Sequence, residues 1–397
     1  MSNKLVITGI LGIALAAPAL YLYAPVVSAN VKLHACADLR EDGEQIECIF
    51  RVIESEMERG GVDPAMRVFS KAYDDFHSFA STGCHRYAHR VGDLVYYHQY
   101  LGSDGIESIE FPQSTTACGY GFYHGFLEHL IQDNPYPDFV TKTCVYLTGR
   151  LQSDMSDIAI ICYHGSGHGF ELAESERVPR SKWGNLHAFV DGPLARCGEM
   201  SEATAREIEE CRQGVFNVIV DWMAEKQYGF TYNAARPFAP CDALPTAYVY
   251  ACYYEMAQKL DSVSGLDPVV IARIAESAPT TALADVAFRV GVAGIIQQTI
   301  ADGKGYEASL ARCATLQRLF FEGCIASMIS GLFEHGPPQR EYEKPFELCA
   351  ESVVADAGMS KECYTAIAFR LKRFYEPARV NDLCKKIPED FRGPCEE

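Results

Sequence analysis

The sequence predicts an all-α fold, an array of disulfide-clamped helical hairpins arranged as an α-solenoid or a toroid-like repeat. Three observations predict it. The sixteen cysteines fall into eight neighbouring pairs, most of which enclose a short connector. The second cysteine of a pair usually opens an apolar stretch with helical periodicity. These stretches recur roughly every forty residues, a spacing typical of helical repeat proteins.

The hairpin pattern predicts which cysteines pair. The first cysteine of a pair ends a helix-like stretch, as in LARC, FELC and NDLC, and helix breakers or caps such as Ser201, Pro245 and Gly358 precede the second. The longer interval from Cys252 to Cys313 contains TALADVAFRVGVAGIIQQ, which we interpret as a unit without its own clamp. The predicted disulfides are Cys36–Cys48, Cys84–Cys118, Cys144–Cys162, Cys197–Cys211, Cys241–Cys252, Cys313–Cys324, Cys349–Cys363 and Cys384–Cys395.

The N-terminal residues predict export. An uncharged apolar run extends from Leu5 to Val27 and ends in the small residues Val-Ser-Ala, so residues 1–29 are either a signal peptide or a retained membrane anchor. Lys4 precedes the run and no positive cluster follows it, which places the remainder outside the cytoplasm, in the periplasm or the extracellular space. Many cysteines fit that oxidising location. We expect no later segment to be long and apolar enough to span a membrane.

Net charge restricts the choice of partners. The 397 residues carry a formal net charge of −18, and an acidic surface repels nucleic acid and anionic lipid. We therefore expect no nucleic-acid partner, and membrane contact only through the N-terminal segment if it is uncleaved. A protein or small-molecule partner stays open.

One polar position recurs in the apolar stretches. CGYGFYHGF and CYHGSGHGF both place a histidine six residues after the cysteine, at His124 and His168. Other units carry Asn217, Gln258, Ser330 and Phe369 at the same offset. A mostly polar position retained through apolar helices predicts a line of side chains that faces an interior groove or cavity.

Three consecutive units contain six of the eleven histidines. Residues four apart share one helix face, which applies to His85 and His89, to His124 and Glu128, and to His164 and His168. Imidazole and carboxylate groups from several helices form the metal sites of helical proteins and suit zinc, iron or copper. The predicted ligands of a transition metal are His85, His89, Asp93, His124, His129, His164 and His168. Glycines around them would let the helices approach closely.

These features predict a histidine-rich region over 30–175 that holds a metal site. Residues 176–397 would form degenerate repeats that serve as scaffold or partner surface. If the protein is an enzyme, metal-assisted hydrolysis with Glu128 or Glu171 as general base and redox chemistry at iron or copper both fit. Two alternatives remain: a non-catalytic helical array that binds a protein or peptide, and a bis-histidine haem b protein. Covalent haem attachment and HExxH proteolysis lack their motifs.

Overall fold

The computed structural model of the chain describes residues 29, 31–81, 83–151 and 157–396. The predicted signal peptide or anchor therefore lies outside the described residues except for Ala29. Within these residues the protein is all-α, as predicted, and no strand occurs. The chain divides into two compact units, one ending at Ala80 and one beginning at Ser81.

The first unit is a small group of helices. Residues 31–37 are helical, and they are followed by α1 (Asp42–Gly60), α2 (Val62–Asp75) and α3 (His77–Ser81), which reaches the boundary. Helices α1 and α2 pack against each other through apolar faces that repeat every three or four residues. A disulfide between Cys36 and Cys48 fastens the first helical segment to α1.

The second unit contains the remaining helices. These are α4 (Cys84–Val95), α5 (Gly121–Asp133), α6 (Pro137–Leu151), α7 (Ile158–Ser175), α8 (Leu186–Gly198), α9 (Ala205–Glu225), α10 (Thr246–Ala257), α11 (Leu260–Ser264), α12 (Pro268–Ala275), α13 (Thr281–Ala301), α14 (Glu307–Cys313), α15 (Arg318–His335), α16 (Glu343–Cys349), α17 (Ser352–Asp356), α18 (Ser360–Phe374), α19 (Pro377–Cys384) and α20 (Gly393–Glu396). A π-helical turn, Tyr96–Tyr100, extends α4.

Eight of these helices pack one against the next in chain order: α4, α5, α7, α9, α10, α13, α15 and α18. Helix α15 also contacts α4, so the series of contacts closes on itself. Side chains next to the start of α5 contact the end of α18. The Tyr120 hydroxyl donates to the Arg373 carbonyl. The Gln113 side chain likewise donates to the Phe374 carbonyl at 3.1 Å. We call these eight helices the inner helices.

All sixteen cysteines lie in the described residues, and they form the eight predicted disulfides. In five of the pairs the second cysteine lies on an inner helix: Cys162, Cys211, Cys252, Cys324 and Cys363. Cys84–Cys118 differs, because its first cysteine begins α4 and its second precedes α5. These six clamps each tie an inner helix to the chain beside it.

The expectation that no segment after the N-terminal run is long and apolar enough to span a membrane is wrong for helix α13. Helix α13 corresponds to the predicted unclamped unit, and it is the one helix of the described residues that is long and apolar enough to cross a membrane. More than half of its apolar stretch is buried inside the protein, against α10, α12 and α15 among others. The place of α13 in the core therefore explains its length and its apolar composition.

Candidate metal centre

The predicted histidine pairs lie on three inner helices that are direct neighbours. Helix α4 carries His85 and His89, α5 carries His124, and α7 carries His164 and His168. The i, i+4 spacing directs both members of a pair to the same side of their helix. Because α5 packs between α4 and α7, the three faces meet in one place.

Glycines set how closely these helices approach. A Cβ at Gly125 would overlap the carbonyl oxygen of His89. A Cβ at Gly167 would overlap the Cys211 carbonyl oxygen and lie 2.8 Å from the Val215 nitrogen. Backbone contact of this kind requires a residue without a side chain. The predicted close approach is confirmed, and CYHGSGHGFE lies well inside α7, which begins at Ile158.

Five imidazole rings converge at the junction of α4, α5 and α7. They form two groups of ligand-capable side chains, His85 with His89 and His124, and His124 with His164 and His168. Ring centroids within the groups are 4.8–5.3 Å apart. We call these five residues the histidine cluster. Its rings come from all three of the sequence windows that predicted a shared site.

His85 is fixed in a single orientation. Its Nδ1 lies 2.8 Å from the carbonyl oxygen of Cys118, and a carbonyl can only accept, so Nδ1 carries the proton. The Nε2 lone pair then faces His89 Nε2 at 3.1 Å and His124 Nδ1 at 3.2 Å. Nitrogens bound to one metal ion at about 2.1 Å lie about 3.0–3.4 Å from one another at tetrahedral or octahedral angles. The two distances from His85 Nε2 match that geometry.

The carboxylate of Glu128 lies between the two histidine groups. Its Oε2 is 3.8 Å from His89 Nδ1 and 3.5 Å from His168 Nδ1. A carboxylate beside the second nitrogen of an imidazole holds the ring in place and leaves the other nitrogen as a ligand. Glu128 is therefore positioned to orient one histidine of each group.

Burial keeps four rings of the cluster uncharged. It lowers the pKa of His85, and it lowers the pKa of His89, His124 and His164 well below the usual value. Neighbouring histidines lower these pKa values further, since two charged rings at this distance repel each other. The neutral imidazole is the form that binds metal.

Asp93 and His129, two more predicted ligands, form a pair of their own. His129 Nε2 lies 3.3 Å from Asp93 Oδ1, and its ring stacks on Tyr96 with centroids 5.5 Å apart. The hydrogen bond that His129 donates to Asp93 raises the pKa of His129. His129 follows Glu128 in α5 and therefore points about 100° away from it around the helix.

Glu171 is completely buried at 0% exposure, and neither of its carboxylate oxygens has a hydrogen-bond partner among the described residues. Burial raises its pKa well above the usual value, helped by Glu174 and opposed by Arg196. Glu171 lies three residues after His168 and belongs to neither histidine group in the described chain. The structure thus brings Glu128, and not Glu171, to the cluster.

The histidine cluster borders a cavity of about 750 Å³ between the inner helices. His85, His124 and His164 form one part of its wall. Five residues of the recurring polar position also line it: His124, Asn217, Gln258, Ser330 and Phe369. The prediction that this position faces an interior cavity is confirmed for these five.

Charged residues that the sequence did not single out line the cavity too. Arg370 donates from Nη1 to Glu334 at 3.0 Å and from Nη2 to Ser330. Arg373, the next arginine of α18, pairs with Asp157. Although burial opposes it, Arg370 holds the pKa of Glu334 below its usual value. Arg370 directly follows Phe369, so the recurring position could have pointed to it.

A buried carboxyl group lies behind the cavity wall. Glu255 is completely buried, and it accepts hydrogen bonds from Asn217, at 2.7 Å, and from Gln258. Burial raises the pKa of Glu255 to about 8. Both of its amide partners line the cavity.

No protein-family model, curated protein or solved structure matches this chain.

Proposed function

We propose that the protein is a metal-dependent enzyme of an oxidising, exported location. In this proposal a first-row transition metal is bound by His85, His89 and His124, and the substrate occupies the adjoining cavity. The observation that carries it is the arrangement around His85 Nε2, which faces two further imidazole nitrogens at 3.1 and 3.2 Å.

Hydrogen bonding alone does not account for that arrangement. The only N–H of neutral His85 donates a hydrogen bond to the Cys118 carbonyl, so the Nε2 of His85 can accept but not donate. The single in-plane lone pair can accept one well-directed hydrogen bond, whereas two imidazole nitrogens face it. A metal ion bound by three lone pairs would satisfy all three nitrogens.

Metal-assisted hydrolysis is the reaction class that this site supports best. A catalytic zinc site has three protein ligands and a position left open to water or substrate. Two of the three proposed ligands, His85 and His124, line the cavity. We propose that Glu128 orients His89, because its oxygen lies beside Nδ1 of that ring. The contacts of Glu171 give no support to its predicted role as general base.

Two other functions were expected as alternatives. Bis-histidine haem needs a macrocycle between its two axial rings, but adjacent rings of the cluster are only about 5 Å apart, centroid to centroid. A non-catalytic scaffold that binds a protein or peptide would have no use for three imidazole nitrogens that face one another. Redox chemistry at copper or iron uses the same nitrogen donors, so the identity of the metal separates it from hydrolysis.

Metal analysis of the purified protein tests the proposal. We expect at least one zinc, copper or iron ion per chain by inductively coupled plasma mass spectrometry of protein purified from its own export compartment. His85→Ala should bind at least one ion fewer than the wild type. His187→Ala should keep the metal content of the wild type, because His187 is exposed and pairs only with Asp191 in its own helix. Wild-type protein without metal after anaerobic preparation would favour the scaffold.

The location is part of the proposal. Eight disulfides indicate an oxidising, exported environment. We propose the periplasm or the extracellular space, with the N-terminal segment acting as signal peptide or anchor. The acidic surface supports a small-molecule substrate over a nucleic acid.

A further inference from the structure

We infer that the centre binds two metal ions, the second one at His164 and His168, while His124 stays a ligand of the first. This inference rests on the proposed function, because it adds a second ion to the site proposed there. The ligand is again a divalent first-row transition metal such as zinc.

The five rings are too widely spread for one ion. Two nitrogens bound to the same ion at about 2.1 Å can be no more than about 4.2 Å apart. The cluster contains two groups of three side chains whose ligand atoms lie within 4.8 Å of one another, and no group in the described chain contains all five.

A second observation comes from His168 itself. Its side chain is only 3% exposed, and its Nε2 has no hydrogen-bond partner among the described residues. A buried polar atom without a partner destabilises the folded protein. The Glu128 oxygen at 3.5 Å attracts the ring proton to Nδ1, which leaves the lone pair on Nε2. His168 therefore has a free ligand atom in the interior.

The two histidine groups also share one arrangement around Glu128. Each contains a histidine whose Nδ1 faces the same Glu128 oxygen, His89 in one group and His168 in the other. One carboxylate between two ions would offset part of their mutual repulsion. The ligand atom of His124 lies within 4.8 Å of those of both histidine pairs, so the two ions would be close neighbours, as in the two-metal sites of hydrolytic enzymes. The single lone pair of neutral His124 would bind the first ion.

Zinc stoichiometry tests the inference. Metal-free full-length protein is equilibrated with zinc chloride, freed of unbound ion by gel filtration and analysed by mass spectrometry. We expect two zinc ions per chain for the wild type and one for His164→Ala/His168→Ala. The milder variant His168→Gln should also hold one, and His187→Ala should hold two. Far-ultraviolet circular dichroism verifies that each variant is folded.

The outcomes separate this inference from the proposed function. One zinc ion in the wild type, or two in His164→Ala/His168→Ala, would overturn the second site while leaving the first. No zinc in the wild type would overturn both. If the double variant does not fold, the folded His168→Gln protein decides between one ion and two.

Discussion

At the scale of single residues, the neutrality of four rings of the histidine cluster explains how they can share one buried place. Burial lowers the pKa of each of His85, His89, His124 and His164, so these rings carry no charge near neutral pH. Charged rings about 5 Å apart would repel one another in an interior of low polarity. Neutral rings can pack closely and keep their lone pairs.

Replacement of His129 tests where the ligand set ends. His129 is a ligand in the sequence prediction, yet its Nε2 contacts Asp93 and its ring lies on Tyr96. We therefore expect His129→Ala to retain the metal content of the wild type, measured by mass spectrometry. Its midpoint of thermal unfolding should fall, because Asp93 loses its partner. Loss of metal from this variant to the extent seen for His85→Ala would contradict this placement.

Glu255 makes stability depend on pH. Its pKa is about 8 in the folded protein, because of burial, against 4.5 when unperturbed. Between these values the folded state keeps a proton that the unfolded state has lost, so stability is complete below about pH 4.5 and falls as pH rises through about 8. Each pKa unit corresponds to about 1.4 kcal/mol. We expect Glu255→Gln to make this decline shallower in urea unfolding at pH 5–9, since burial also raises the pKa of Glu210 and of Glu341, to about 7 in each case.

An exposed glutamate provides the control for this measurement. Glu276→Gln lies on the surface and should show the same change of stability with pH as the wild type. If the stability of Glu255→Gln changes with pH as steeply as that of the wild type, the carboxyl group of Glu255 is not protonated in the folded protein.

The sequence predicted the histidine positions better than the carboxylates. Pairs at i and i+4 in neighbouring units must share a helix face, so His85, His89, His164 and His168 could be placed on one region in advance. Glu171, three residues beyond His168, shares less of that face and lies near Glu174 and Arg196 instead. Arg370 and Glu334 pair in the cavity wall only because α15 contacts α18, and the spacing of residues in the sequence does not reveal that contact.

At the scale of elements, glycines determine the distance between helices. Gly167→Ala should destabilise the contact of α7 with α9, because the new methyl group would meet the Cys211 carbonyl and the Val215 nitrogen. Overpacking of this kind costs about 1–3 kcal/mol. We expect a lower midpoint in thermal unfolding and weaker zinc binding, since α7 carries His164 and His168.

A glycine with free space serves as the matched control. Gly149 lies on the exposed side of α6, and nothing is within 4 Å of the position of its missing Cβ. Gly149→Ala should stabilise the protein by about 0.5–1 kcal/mol through helix propensity. Equal effects of the two substitutions would show that close approach at Gly167 is not needed.

At the scale of the whole molecule, the disulfides and the helix class followed from the sequence, whereas the closed series of contacts did not. Each predicted bridge joins cysteines 11–34 positions apart, which local spacing can reveal. The contact of α15 with α4 joins distant parts of the chain, and both a solenoid and a toroid-like repeat fit the same periodicity. Only packing decides between open and closed arrangements.

Reduction tests how much the bridges contribute together. A bridge that closes a loop of about 15 residues contributes about 3 kcal/mol in the entropic model. We expect dithiothreitol to lower the midpoint of thermal unfolding strongly and to release bound metal, because His85 is held by the carbonyl of the bridged Cys118. Thiol titration should account for all sixteen cysteines. A fully reduced protein that keeps its midpoint and its metal would refute this expectation.

The closing contacts also bear on when an ion can enter. Tyr120 and Arg373 are 253 positions apart, and Gln113 and Phe374 are 261 apart. Contacts between such distant residues form late in folding, whereas α4, α5 and α7 follow one another and can assemble early. The histidines would thus come together while the far wall of the cavity is still missing. For the proposed ions, loading would then be a step of maturation, and a chain that closes without them would have to take them up through the cavity.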